Sequence, residues 1–322
     1  MELHGLLLID KPPGLTSHDV VNQARRILGI REVGHCGTLD PIATGLLILA
    51  VGEGVKISSL VTHWSKSYQG EILFGRATDS LDITGKIVAE GGRPHSEEEI
   101  LKAIPQVEGT LTLPVPRYSA TKVGGECLYQ KARRGEEFQP PEKEMVFRDI
   151  RSLGYVESEG RWSFILQCEK GSYVRSWVER LGSVLGYPAV LSDLKRVRAG
   201  NYGVEQALTL EKLREWKETG QLPNLTQHSA WIPLRAALPE WWEVRVDGFD
   251  LHLIRNGQIS KGLRSRLIRL YQPDRDNFLG FKVVTAQPPF FLVALVGLDK
   301  GKGFYIKRGF LQPKNLELTN SF

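Results

Sequence analysis

Asp40 is the first residue whose company suggests chemistry. It stands in GHCGTLDPIATG (34–45), where Gly34, Gly37 and Gly45, with Thr38 and Thr44, let the backbone come close to a ligand. Pro41 biases Asp40 away from helical backbone and fixes the segment that carries it. A lone pocket carboxylate can act as nucleophile or base, provided a partner keeps it ionised away from water. Asp followed by Pro is also a good helix N-cap with Pro at N1, and for such a pair the capping role is the commoner one. Both readings stand on these residues alone.

Arg175, in KGSYVRS (170–176), is the best available cation, because a guanidinium can grip a carboxylate with two N–H groups. An Arg in a first helical turn is otherwise a solvated surface residue. Tyr68 and Tyr173 can stack a base and carry a hydroxyl into a site, although a strand tyrosine is more often core packing. His35, beside Gly34, either touches RNA or orders the loop. The sequence contains no Walker A phosphate loop, strand-linked GxGxxG, HExxH or GxSxG, so nucleotide hydrolysis, dinucleotide chemistry and the common hydrolase mechanisms lose support.

The surrounding pattern says what must position these groups. GLLLIDKP (5–12) reads as a short buried strand closed by a KPPG turn. The next stretch puts Val20, Val21, Ala24, Ile27 and Leu28 on one helical face, with Ser17 as N-cap and Gly29 as the left-handed stop. TGLLILAVG (44–52) reads as a strand buried on both faces, so the Asp40 loop is held between two core strands. SYQGEILFG (67–75) alternates and predicts a hairpin with KIVAE after the TDSLDITG turn. Ser96 and Glu99 form a capping box. Further on, the chain from Arg161 passes from strand through a Lys-Gly turn to a helix with Val174, Val178, Leu181 and Leu185 inside, so Tyr173 and Arg175 sit at the junction. A helical LTLEKLREWKE and a polar passage then predict a domain boundary near residues 225–245. Beyond it VRVDGFDLHLI, FLGFKVVTA, FFLVALVGLD and GFYIKRGFL predict short strands of a small barrel or sandwich.

The 322 residues, 41% hydrophobic and 25% charged, suit a folded chain of about two domains. The formal charge of +5 conceals a split. Residues 255–314 carry twelve basic side chains against three acids, while the remainder is slightly acidic, which predicts a basic module joined to a body with different work. No basic leader or long apolar run marks a signal or membrane span, so the expectation is a cytoplasmic protein. Cys36, Cys127 and Cys168 form no CxxC, and the seven histidines show no zinc spacing, so neither disulfides nor a metal are expected.

Five blocks in order carry a resemblance: DKPPGLTSHDVV, GHCGTLDPIATGLLILAVGEGVK, KSYQGEILFGRATDSLDITGKI, RYSATKVGGECLYQKARRGEEF, and CEKGSYVRSWVERLGSVLG with LSDLKRVRAG. Together they resemble the TruB family of tRNA pseudouridine-55 synthases over about residues 3–205, with Cys36 departing from the expected Thr or Ala. The resemblance implies an α+β fold, a mixed and largely antiparallel central sheet with flanking helices and a thumb insertion. Residues 1–235 would form the catalytic domain and 236–322 a small PUA-like β domain that binds RNA. It makes Asp40 the catalytic aspartate, Arg175 its ion-pair partner and Tyr68 the aromatic stacked on the target uracil. Tyr173 and Leu194 become pocket walls, His35 a contact to the displaced T loop, and Lys11 a support of the site, with 117–137 as the thumb. The implied reaction is isomerisation of a flipped-out uridine at position 55 of tRNA, with no cofactor or metal. The implied partner is the tRNA T stem-loop, bound by a monomer without guide RNA or membrane. A tRNA-binding and refolding chaperone without essential catalysis is the competing function. A guide-RNA-dependent subunit is disfavoured by the thumb block.

Overall fold

The computed structural model describes residues 3–271 and 278–310. The first apolar run forms β1 (Gly5–Lys11), α1 (Ser17–Leu28) follows, and after β2 (Val33–His35) the second apolar run forms β3 (Thr44–Val51). β1 and β3 pair antiparallel, from Gly5 opposite Val51 to Lys11 opposite Gly45, and Leu6–Ile9 and Leu46–Val51 are buried on both faces. α1 begins one residue earlier than expected. Its N-cap is Thr16, whose hydroxyl accepts the Asp19 N–H while the Asp19 carboxylate accepts the Thr16 N–H. Ser17 is instead buried, and Gly29 ends the helix at φ 70° as expected.

The chain continues through α2 (Ser58–Val61), β4 (Lys66–Phe74), β5 (Arg76–Thr78), β6 (Ile87–Glu90) and α3 (Glu97–Ala103). The expected hairpin of β4 with KIVAE does not form, because β6 pairs with β5 and remains exposed along its length. β4 buries alternate side chains and takes its partners from the core sheet instead. At α3 only half of the capping box is made: Ser96 accepts the Glu99 N–H, but Glu99 reaches the N–H of His95.

β7 (Gly109–Pro114) leads into the thumb segment, β8 (Lys122–Val123), β9 (Glu126–Cys127) and α4 (Leu128–Arg133). Gly124 and Gly125 turn between β8 and β9 with φ of 65° and 87°, a two-residue turn that only residues tolerant of left-handed backbone make cheaply. Then come β10 (Glu142–Val156), β11 (Arg161–Cys168), α5 (Val174–Leu185), β12 (Ala189–Ala199), β13 (Tyr202–Gly203), β14 (Leu208–Thr209), α6 (Leu210–Glu218) and β15 (Trp231–Pro233). The main sheet runs β14-β1-β3-β12-β4-β11-β10-β7, with β15 beside β1, β2 beside β3 and β13 beside β12. Only β1–β14 and β3–β12 are parallel among these pairs, so the sheet is mixed and largely antiparallel. Phe147, Trp162, Phe164 and Trp177 stack where α5 covers it.

The C-terminal part forms the expected small β unit, but as one four-stranded sheet with two helices rather than a barrel or sandwich. After β16 (Trp242–Val246), GFDLHLI lies within α7 (Gly248–Arg255), and α8 (Lys261–Leu270) precedes β17 (Phe281–Thr285), β18 (Leu292–Asp299) and β19 (Gly303–Gly309). Leu251, Ile254, Leu263 and Leu267 recur at helical spacing and bury one face of the four-stranded sheet β16-β17-β18-β19. Val284, Leu292, Leu295 and Phe310 join Leu238 and Trp241 in the core of the main sheet. Lys314 and the charges at 274–276 lie outside the described residues. Among the described residues no helix is long and apolar enough to cross a membrane.

Candidate active site

Asp40 caps no helix. Its carbonyl accepts the Ala43 N–H at 3.0 Å in a turn that runs straight into β3, so the capping reading does not hold. The loop before it is held from several sides. Ser17 Oγ accepts the Leu39 N–H at 2.8 Å and donates to the Leu39 carbonyl at 3.0 Å. The fully buried Lys11, at the end of β1, donates Nζ to the carbonyls of Leu15 at 2.7 Å, Pro12 at 2.9 Å and Pro41 at 3.4 Å. Gly45 has φ 89°, and a Cβ there would meet the Arg196 carbonyl at 2.3 Å, so only glycine lets β3 lie against β12 where the loop re-enters the sheet.

Arg175, in the first turn of α5, is 3% exposed and is not a solvated surface residue. Its Nε lies 2.8 Å from Oδ2 of Asp40, with the N–H turned off that line, so the contact is ionic rather than a directed hydrogen bond. Nη1 donates to the Ser80 carbonyl at 3.0 Å and Nη2 to that of Tyr118 at 3.1 Å, at the root of the thumb. Asp82 lies 3.9 Å from Nη1 and is held by Ser80 Oγ and by the N–H and hydroxyl of Thr84. The Asp40 side chain is 32% exposed, so the cation is fixed in the wall while the carboxylate reaches the opening.

Tyr68 on β4 stands opposite Arg196 of β12 and Leu166 of β11, almost wholly buried. Its hydroxyl accepts from Arg196 Nη1 at 3.4 Å; burial pushes the phenol pKa up, and the Arg196 charge opposes that push. Leu194 is buried on the same strand, two residues before Arg196. Tyr173 caps the start of α5, and its hydroxyl bonds Thr121 of the thumb at 2.9 Å. His35 ends β2, with Nδ1 buried and without a partner among the described residues; burial, then the Arg196 charge, holds its pKa down. The structure therefore gathers Asp40, Arg175, Lys11 and Tyr68 around one loop, with Leu194 on the strand beside Tyr68 and Tyr173 tied towards the thumb.

Four contributors escaped the sequence reading: Arg196, Asp82, Lys66 and the inward role of Ser17. Lys66 is buried, donates to the carbonyls of Thr62 at 2.7 Å and Trp64 at 2.5 Å, and has its pKa lowered to about 8, chiefly by burial. The signal for Arg196 was the period of two in LSDLKRVRAG, which puts Leu194 and Arg196 on one face of a strand. Among the described residues no three His, Cys, Asp or Glu side chains cluster as metal ligands would. The assembled groups offer a carboxylate fixed by a buried cation, with the Tyr68 hydroxyl tied to the same loop through Arg196, and a carboxylate so held can act as nucleophile or base.

Residues 25–174 match the family described as TruB family pseudouridylate synthase, N-terminal domain. The tRNA pseudouridine synthase B of Bdellovibrio bacteriovorus is 42% identical over 311 residues, covering 96% of this chain and 97% of that protein. The protein of the same name from Bacillus pumilus is 39% identical over 247 residues, 74% of this chain and 78% of that one. In fold, the chain is similar to the solved H/ACA RNP bound to a substrate RNA containing 2′-deoxyuridine, at a TM-score of 0.66 and 22% identity, covering 97% of this chain and 86% of that chain. With identity of this order along nearly the whole of both sequences, the chain belongs to the TruB family of pseudouridylate synthases.

Proposed function

We propose that this protein isomerises uridine to pseudouridine at position 55 in the T loop of tRNA, acting in the cytoplasm as a monomer and without a guide RNA. The observation that carries the site assignment is the Asp40–Arg175 ion pair, a buried cation holding a partly exposed carboxylate. The curated relatives named tRNA pseudouridine synthase B support tRNA as the substrate. Isomerisation breaks N1–C1′, turns the free uracil within the site and joins C5 to C1′, with no net redox change. Asp40 acts on the ribose or on the ring, or takes a proton from C2′. Arg175 fixes it in place, while the Tyr68 ring and Leu194 wall in the detached base. Tyr68 is a neutral phenol in this setting, so its hydroxyl can move the C5 proton only by relaying it.

The target uridine must first leave the RNA stack, at a cost of roughly a few kcal/mol. Basic side chains of the C-terminal part repay this by phosphate contacts that position the stem without reading sequence. The test is single-turnover modification of an unmodified tRNA transcript, with pseudouridine mapped along the chain. Pseudouridine in the T loop is expected from the native protein. Asp40→Asn is expected to keep tRNA binding and lose about 1000-fold or more in rate, about 4 kcal/mol of transition-state stabilisation. Modification elsewhere, or none from folded protein, sinks the assignment. Retained turnover by Asp40→Asn removes Asp40 from the mechanism.

A further inference from the structure

The Asp40 loop and the Tyr68 hydroxyl share one support that the ion pair of the site does not explain. Arg196 is 2% exposed, and on β12 it lies opposite Gly45 of β3 and Tyr68 of β4. Nε donates to the Leu46 carbonyl at 2.6 Å, and Nη2 to that of Gly37 at 3.1 Å. Nη1 lies 3.4 Å from both the Thr38 carbonyl and the Tyr68 hydroxyl. Among the described residues no carboxylate comes within ion-pair distance of it, since Asp40 and Asp82 both turn to Arg175. A buried guanidinium is costly to desolvate, and packing alone would be served as well by an apolar side chain of that volume. What an apolar side chain could not do is hold three carbonyls and a hydroxyl from three segments in one rigid plane.

That plane spans the parts that must stay in register. The carbonyls of Gly37 and Thr38 belong to the run that delivers Asp40, Leu46 belongs to the strand after it, and Tyr68 is the residue that walls in the base under the proposed function. The charge itself is also unspent. It bears on Lys11, Lys66 and His35, adding in each to the larger lowering that burial imposes. Whichever route Asp40 takes, the electrons released at the uracil collect on the ring and its oxygens, so positive charge under the pocket favours the transition state over the bound uridine.

Resting on the function proposed above, we propose that Arg196 is a positioning residue of the isomerisation. It ties the loop carrying Asp40 to Tyr68 and sets an unpaired positive charge beneath the base. The experiment compares wild type, Arg196→Gln, Arg196→Lys, Tyr68→Phe and Tyr68→Phe/Arg196→Lys on an unmodified tRNA transcript. It reads the single-turnover rate at saturating enzyme, the tRNA Kd by filter binding, and the melting temperature. Arg196→Gln is expected to lose about 100-fold in rate with Kd within about threefold of wild type, and Arg196→Lys, which keeps the charge, to recover about tenfold of that loss. The double variant is expected to fall by less than the product of the two single effects, because both remove the same tie. If Arg196→Gln does not fold, this non-additivity decides. Rates within about threefold of wild type, strict additivity, or a rate and Kd that worsen equally without rescue by lysine each overturn the proposal. A wild type that forms no pseudouridine overturns the function itself, and this inference with it.

Discussion

Burial lowers the pKa of two lysines beside the loop that carries Asp40, and the effect is measurable as a pH dependence. The Lys11 pKa is lowered from its ordinary 10.5 to about 8, mainly by burial and against the pull of Asp40, and the Lys66 pKa is lowered to about 8, chiefly by burial and then by the Arg196 charge. Between about pH 8 and 10.5 the unfolded chain therefore holds more protons than the folded one, and these two lysines add to stability as pH rises. The same titration removes the ammonium that grips Pro41 beside Asp40. The expected outcome is a single-turnover rate that falls above about pH 8 without a matching drop in melting temperature due to these groups; a rate flat to about pH 9.5 would refute it. Lys11→Met, which leaves the carbonyls of Pro12, Leu15 and Pro41 without that donor, is expected to cost about 2–4 kcal/mol in denaturant unfolding. At this scale Asp40 and Arg175 were legible because each stands at a turn, where a polar side chain needs a reason. Arg196 was only half legible, since the period of two sets Lys195 on the other face but leaves Arg196 and Arg198 alike until the register shift between them shows which one is buried.

Helix α1 shows how an element can be right and its key residue misassigned. TSHD offers two capping hydroxyls, and the acid three residues on, Asp19, pairs with Thr16 rather than Ser17. The freed Ser17 then docks the helix on the loop that carries Asp40 through both polar groups of Leu39. Ser17→Ala is expected to destabilise the protein by about 1–3 kcal/mol and to slow turnover at saturating tRNA, since it strands buried groups one residue from Asp40. A change in melting temperature with an unaltered rate would show that the loop keeps its place without this bond. Across the pocket, the Tyr173–Thr121 bond fastens the thumb to α5. Tyr173→Phe is expected to speed amide exchange across 117–137 and leave α1 unchanged, read by mass spectrometry; equal exchange in both proteins would show the bond to be idle. The misplaced β4 hairpin has a related cause. Local alternation reports that a strand is half-buried but not which partner covers it, and Trp162, Phe164 and Leu191 come from 90 or more residues away. GFDLHLI likewise alternates over too few residues to separate a strand from the helix it forms.

The whole chain joins a basic C-terminal part to the main sheet through an apolar seam. Val284, Leu292, Leu295 and Phe310 face the main core, and Lys56 donates to the Gly309 carbonyl at 3.0 Å while Arg308 donates back to the Lys56 carbonyl at 3.3 Å. The charge split was legible from composition alone, because net charge adds along a chain without regard to fold. The seam was not, since β17 and β18 read as buried strands whichever surface covers them. This alters how the basic part should be tested. Cutting the chain near residue 235 strips apolar side chains from the core they complete, so a loss of tRNA affinity would mix lost charge with lost stability. Neutralising exposed cations in place avoids that. Lys261 and Arg269 lie exposed on α8, away from the buried stripe of Leu263 and Leu267, and surface changes of this kind usually stay within about 0.5 kcal/mol of native stability. If both side chains meet phosphates, Lys261→Gln/Arg269→Gln is expected to reduce the slope of log Kd against log salt by about 1–2, each lost phosphate contact removing about 0.7–0.9 unit, the range from single strands to B-DNA. The single-turnover rate at saturating tRNA should stay near wild type, because both residues are exposed on α8 and neither is among the groups gathered around Asp40. An unchanged slope with weakened binding would place the phosphate contacts on another face of the molecule, and a lowered saturated rate would mean that docking and chemistry are coupled through the seam.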